Sequence, residues 1–208
     1  MSQCFYWNDE ESRDGIASML RSGRIIAGSS DTVMGLFATL TQSNHDKLNA
    51  IKQRSDKPYL ILIGDKQKAK LFTHVLNSPQ IEKIIEKFWP GPLTIIVPAK
   101  KDLPEFMQSK EGTIALRVPQ HEGLHDLLKD FDGLFSTSAN KAGEPIPCTI
   151  DEIDPSIKNH VAALVLNAEE NKVCTPSTIL DCTQDCIQLV REGAISRDEL
   201  AKVVPIGL

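Results

Sequence analysis

Short apolar, β-prone runs alternate along this chain with segments whose apolar residues recur at helical spacing. This alternation constrains the fold more than any single motif, because it argues for an α/β architecture. The runs lie at Arg24 to Gly28, Val33 to Ala38, Tyr59 to Ile63, Leu93 to Val97, Thr113 to Val118, Ala163 to Leu166, Thr178 to Asp181 and Ile187 to Val190. Asn8 or Asp9 is placed to cap a first helix, with Ile16, Met19 and Leu20 on its inner face and Gly23 as its stop. Ser43 to Arg54 reads as a helix with Leu48 and Ile51 inward. Ser78-Pro79 starts another, with a capping serine ahead of a first-turn proline. Gly123 to Phe131 reads as helical, Leu134-Phe135 leads into a hydroxyl-rich loop, and Ser196 caps a last helix. With 208 residues and neither a repeat nor a linker, the chain is expected to form one domain over 1–208.

Three hydroxyl clusters stand out: Ser29-Ser30-Asp31-Thr32, Ser136-Thr137-Ser138-Ala139-Asn140 and Ser177-Thr178. The first two follow apolar strands, and loops beyond strand ends are where α/β sheets bind ligands. Hydroxyls donate to carboxylates and phosphates at close range. The same residues also suit turns and helix caps. Lys52-Gln53-Arg54 lies in a locally basic stretch from Lys47 to Lys70 and offers charge for phosphate, or else a solvated helix end. Arg117 sits inside the apolar strand Ile114 to Val118, where a charge needs either an ion-pair partner or a bound anion. Arg191 after Gln188-Leu189-Val190 poses the same choice.

Other signals narrow the chemistry. The chain has no G-x-x-x-x-G-K-[ST] loop, no G-x-G-x-x-G and no G-x-S-x-G elbow. His121-Glu122-Gly123-Leu124-His125 fits H-E-x-x-H, but Pro119 just ahead and Gly123 within disfavour a helix carrying both imidazoles on one face. The net charge of −5 argues against a generally basic nucleic-acid binder. The N-terminus has no secretory pattern, and no apolar run reaches the length of a membrane span, so a cytoplasmic protein is expected. The five cysteines, an odd number without a C-x-x-C pair, read as free thiols in a reducing compartment.

Taken in order, these pieces resemble the YrdC-like family of threonylcarbamoyl-AMP synthases. The family's P-T-[DE]-T-V-Y-G-L-G corresponds to Ser29-Ser30-Asp31-Thr32-Val33-Met34-Gly35-Leu36-Phe37, and its K-x-R-P to Lys52-Gln53-Arg54-Ser55. W-P-G-P-L-T matches Trp89 to Thr94, A-x-R-x-P matches Ala115 to Pro119, and S-T-S-A-N-x-x-G matches Ser136 to Gly143. S-T-I-x-D matches Ser177 to Asp181, and R-x-G matches Arg191 to Gly193, so the motifs span about 24–195. Ser29, Ser30, Met34 and Ser55 depart from the family's proline, threonine, tyrosine and proline.

The resemblance implies a single YrdC-like domain, a twisted mixed sheet flanked by helices around a concave, positively lined cleft. It implies synthesis of threonylcarbamoyl-AMP and pyrophosphate from L-threonine, bicarbonate and ATP with Mg²⁺, without a tightly held protein metal. By position, Thr32, Arg117, Ser136 and Ser177 contact threonine. Arg54, Thr113, Ser138, Asn140 and Arg191 contact ATP, and Lys52 and Arg54 carry the catalytic charge beside the phosphates. The product passes to a transferase complex that modifies tRNA. The alternatives are a paralogue with another substrate and an RNA-binding module.

Overall fold

The computed structural model describes residues 3–53, 58–167 and 174–207. Its strands are β1 (Gln3–Tyr6), β2 (Ile26–Gly28), β3 (Gly35–Thr39), β4 (Leu60–Leu62), β5 (Leu93–Pro98), β6 (Thr113–Arg117), β7 (Leu134–Ser138), β8 (Ala163–Leu166), β9 (Thr178–Asp181) and β10 (Gln188–Arg191). Its α-helices are α1 (Glu10–Arg21), α2 (Gln42–Lys52), α3 (Pro79–Phe88), α4 (Glu122–Leu128), α5 (Pro155–Lys158) and α6 (Arg197–Ala201).

Local sequence explains most of these boundaries. The Asp9 carboxylate accepts the Ser12 N–H and so caps α1, satisfying one of the amides a helix start leaves open. Ser196 and Glu199 form a reciprocal capping box on α6. At α3 only half of the expected signal operates. Pro79 sits in the first turn, while the Ser78 side chain makes no capping hydrogen bond. Two strands go beyond the sequence reading. β1 adds an edge, and β7 runs straight through Ser136, Thr137 and Ser138, which were expected to form a loop. Serine is a weak strand former, but β7 lies between β3 and β4 and is antiparallel to both, so its backbone is paired on each side.

The strands form one mixed sheet in the order β1-β8-β2-β3-β7-β4-β6-β5-β9-β10. One face packs α2 and α3 through Leu48, Ile51, Ile81, Ile84 and Ile85 against Ile61, Ile95, Leu116 and Phe135. The other face is covered along β8, β2, β3 and β7 by α1 and α4, where Ile16, Leu20, Leu124 and Leu128 meet Ile26, Phe37, Leu134 and Val165. Beyond Leu62 that cover ends. Leu60, Leu62, Thr94, Ile96, Thr113, Ala115 and Ile179 continue the face as the wall of a cavity. They alternate along their strands with buried core residues, as the two-residue repeat of a strand requires. The sheet thus has one face packed by helices except at its β1 edge and one half-open face, and the open half carries the cavity.

Among the described residues, no helix is long and apolar enough to cross a membrane.

Candidate functional site

The cavity over the open half-sheet holds about 430 Å³. Its floor is apolar and its rim carries the hydroxyls. Thr32, Thr113, Arg117, Ser136, Ser138, Ser177 and Arg191 all line it, so the fold brings together seven of the residues singled out in the sequence. Arg54 lies outside the described residues.

Arg117 is 4% exposed and ends β6 beneath the rim. Its Nε donates to the Gly91 carbonyl at 3.0 Å, and Nη1 donates to Thr32 Oγ1 at 3.0 Å. Nη2 stands 2.5 Å from Asp31 Oδ1. A guanidinium so buried needs these partners, because an unpaired interior charge is costly. Burial pulls the Arg117 pKa down from its usual value, and the Asp31 charge opposes that shift. The sequence left open whether Arg117 meets a partner or an anion. The structure supplies the partner, and the residue lines the cavity as well.

Arg191 donates through Nε and Nη2 to the Ser177 carbonyl at 3.1 and 2.7 Å. Ser177 Oγ shares a 2.9 Å hydrogen bond with Thr94. Thr178 Oγ1 accepts from Gly193 N and Ile195 N and donates to the Ile195 carbonyl. A Cβ at Gly193 would lie 2.7 Å from the Ser177 carbonyl carbon, so the glycine of R-x-G permits this close approach. Burial, followed by the charge of Arg117, lowers the Arg191 pKa.

Lys52 and Asn140 occupy a different position, behind the wall. Lys52 is 2% exposed. Its Nζ donates to the Ser138 carbonyl at 2.7 Å, to the Asn140 carbonyl, and to Asn140 Oδ1 at 3.0 Å. Asn140 Oδ1 also accepts from Ser138 Oγ, and Nδ2 donates to the Glu144 carbonyl. Lys52 is therefore a buried cation that holds the turn after β7. The solvated helix end left open in the sequence is not what forms.

The first hydroxyl cluster also divides. Ser29 accepts the Trp7 indole N–H at 3.1 Å and belongs to the core. Ser30 donates to the Val33 carbonyl and contacts Thr32. His121 caps α4, its Nδ1 accepting the Leu124 N–H, so the H-E-x-x-H spacing does not put two imidazoles on one helical face. Burial lowers the His121 pKa, and the Asp31 charge partly opposes this.

Sequence reasoning missed Asp31 as the counter-charge of Arg117, and missed Gly91 as its carbonyl partner. It also erred on the cysteines. Cys148 and Cys174 form a disulfide with Cα atoms 5.2 Å apart, while Cys4, Cys182 and Cys186 are free. The bridge joins two segments that reach the cavity, through Ile146 on one side and Pro176-Ser177 on the other. Residues 26 apart with no short-range motif give no sequence signal for that pairing. The charged groups on the described walls are Arg117, Arg191 and Asp31, with Asp31 in contact with Arg117.

The fold and cavity define an α/β protein with a hydroxyl-rimmed, charged cavity on the half-open face of a mixed sheet. More specifically, the chain belongs to the Sua5/YciO/YrdC family, described as telomere recombination, whose model matches residues 18–193. A threonylcarbamoyl-AMP synthase of Photobacterium profundum is 33% identical over 185 residues, covering 86% of this chain and 97% of that protein. The Bacillus subtilis threonylcarbamoyl-AMP synthase is 30% identical over 196 residues, and the match spans 55% of its length. The crystal structure of Pyrococcus abyssi Sua5 complexed with L-threonine superposes with a TM-score of 0.89 at 24% identity, covering 100% of this chain and 62% of that one. Escherichia coli YciO gives 0.83 at 22% identity, covering 96% and 100%. At these identities the two structures speak for the fold.

Proposed function

We propose that this chain, acting as a single YrdC-like domain, is a threonylcarbamoyl-AMP synthase. It joins L-threonine and bicarbonate to the adenylyl group of ATP and releases pyrophosphate. The observation that carries the reading is the clustering of Arg117, Thr32, Ser136 and Ser177 on the open half-sheet beside Thr113, Ser138 and Arg191. Relatives matched over most of this chain bear the synthase name.

In this reading Arg117 takes the threonine carboxylate through N–H groups not committed to Gly91 or Thr32. Thr32, Ser136 and Ser177 supply hydroxyls around the amino acid. The apolar floor of Leu60, Leu62 and Ile96 shields the bound amino acid from water. The threonine ammonium gives up a proton to solvent, and the free amine attacks the carboxyl carbon of bicarbonate, forming the N–C bond and releasing water. The resulting carbamate oxygen attacks the α-phosphorus, and pyrophosphate leaves with the bonding pair of the α–β bridge. No covalent enzyme intermediate is needed, and the protein acts by positioning and by neutralising charge. Arg191, Thr113 and Ser138 border the nucleotide. Arg54 adds charge at the phosphates, and Lys52 fixes the Ser138–Asn140 turn from behind.

Among the described residues no group of three or more His, Cys, Asp or Glu side chains converges to hold a metal. The described cavity carboxylate, Asp31, is engaged by Arg117. In this reading Mg²⁺ comes with ATP as part of the MgATP substrate. The product is handed to a tRNA-modifying transferase complex. The protein works in the cytoplasm.

The test is pyrophosphate release from MgATP and bicarbonate, with L-threonine, with serine, and without amino acid. Release that depends on threonine supports the reading. Arg117→Ala raises the threonine concentration needed for half-maximal rate by at least tenfold, the loss expected for one charge-assisted contact. Release that ignores threonine overturns the reading.

A further inference from the structure

Asp31 is the charged group of the cavity that the mechanism above leaves without a task. It is the one carboxylate on the described cavity walls, and its side chain is 10% exposed. One oxygen stands 2.5 Å from Arg117 Nη2, and the other accepts the Gln120 N–H at 2.9 Å. Neither Asp31 Oδ1 nor Arg117 Nη2 makes an aligned hydrogen bond, although both atoms are buried. Their contact is a charge contact that leaves donor and acceptor capacity on both partners.

The pair is electrically neutral, and this decides what the site can hold. Arg191, the other cation on the described walls, donates to the Ser177 carbonyl and is assigned above to the nucleotide, so a ligand carrying only a carboxylate would bring a second negative charge beside Asp31 with the Arg117 guanidinium alone between the two. An uncompensated charge in a buried site is strongly disfavoured. An α-amino acid brings one charge of each sign on two groups attached to the same carbon. Its carboxylate can take the remaining Arg117 N–H groups while its ammonium takes Asp31, giving four charges that alternate in sign. Asp31 and Arg117 are also mutually fixed, since Thr32 and Gly91 hold the guanidinium and Gln120 holds the carboxylate. The two ends of the ligand are therefore oriented together.

We infer that Asp31 binds the α-ammonium group of the amino-acid substrate and so selects α-amino acids over α-hydroxy acids. The inference rests on the reading that the cavity receives threonine, and it assigns the subsite for the nitrogen that becomes carboxylated.

Calorimetric titration of the full chain at neutral pH tests it. Two ligands are compared: L-threonine, and the α-hydroxy acid in which hydroxyl replaces the amine. The wild type is expected to prefer threonine by roughly 10- to 100-fold, the range for one charge-assisted hydrogen bond. In Asp31→Asn threonine weakens by a similar factor while the hydroxy acid holds or tightens, because the charge of Arg117 is no longer opposed. If Asp31 only orients Arg117, the variant loses both ligands by the same factor, and that result overturns the inference while leaving the threonine reading standing. Equal affinity of the wild type for the two ligands overturns it without any variant. Binding of neither ligand by the wild type removes the threonine reading and the inference with it.

Discussion

Replacing Lys52 with methionine separates two roles that one residue could play. In the structure its ammonium is enclosed, donating to the carbonyls of Ser138 and Asn140 and to Asn140 Oδ1. Methionine keeps much of the stem and removes the donors. Asn140 Oδ1 retains Ser138 Oγ as a partner, so the loss concentrates on the two backbone carbonyls. A buried acceptor left without a donor costs about 1–3 kcal/mol. Relief from burying an ammonium offsets part of the total, leaving about 2–4 kcal/mol. For a chain of this size each kcal/mol moves the midpoint by about 2–4 °C, so Tm should fall by roughly 5–15 °C. The assay is a thermal melt by circular dichroism, paired with pyrophosphate release measured well below the lower midpoint. A Lys52→Met protein that melts within about 2 °C of the wild type while needing far more ATP would refute the argument. It would mean that the ammonium leaves its enclosure and works on the phosphates directly.

Four further outcomes follow from the packing. Unfolding without reductant and alkylating should modify Cys4, Cys182 and Cys186 and spare Cys148 and Cys174, whereas labelling at all five would refute the bridge. Under native conditions Cys182 should resist, since burial, aided by Asp181, pushes its thiol up to about 12. Reducing the bridge, with its separation of 26 residues, should cost about 3 kcal/mol, read as a lower melting temperature in reductant. Gly123→Ala should destabilise by about 1–3 kcal/mol although alanine is the better helix former, because the new Cβ would lie 2.8 Å from Trp7 Cγ; a rise in Tm would refute this.

Much of this protein could be read one residue at a time. A strand or a helix cap depends on neighbours in sequence, so the α/β alternation, the Asp9 start of α1 and the Ser196 start of α6 are visible in the chain itself. The same holds for the oddity of Arg117, since a charge inside an apolar strand signals its need for a partner wherever the strand packs. The partner did not announce itself. Asp31 looks like one more polar residue of a turn until β3, β7 and β4 bring it to the end of β6. β7 reads as a loop from its serines, and it is a strand because strands on both sides complete its backbone hydrogen bonds. Lys52 reads as charge for phosphate or as a solvated helix end, and it is buried because the turn after β7 offers its ammonium the carbonyls of Ser138 and Asn140. Cys148 and Cys174 read as separate thiols and meet where two segments close on the cavity. Pairings between distant residues depend on which surfaces the sheet brings together. The sequence therefore determined the elements and the kinds of side chain available, and the tertiary structure decided which charges, carbonyls and thiols would face one another.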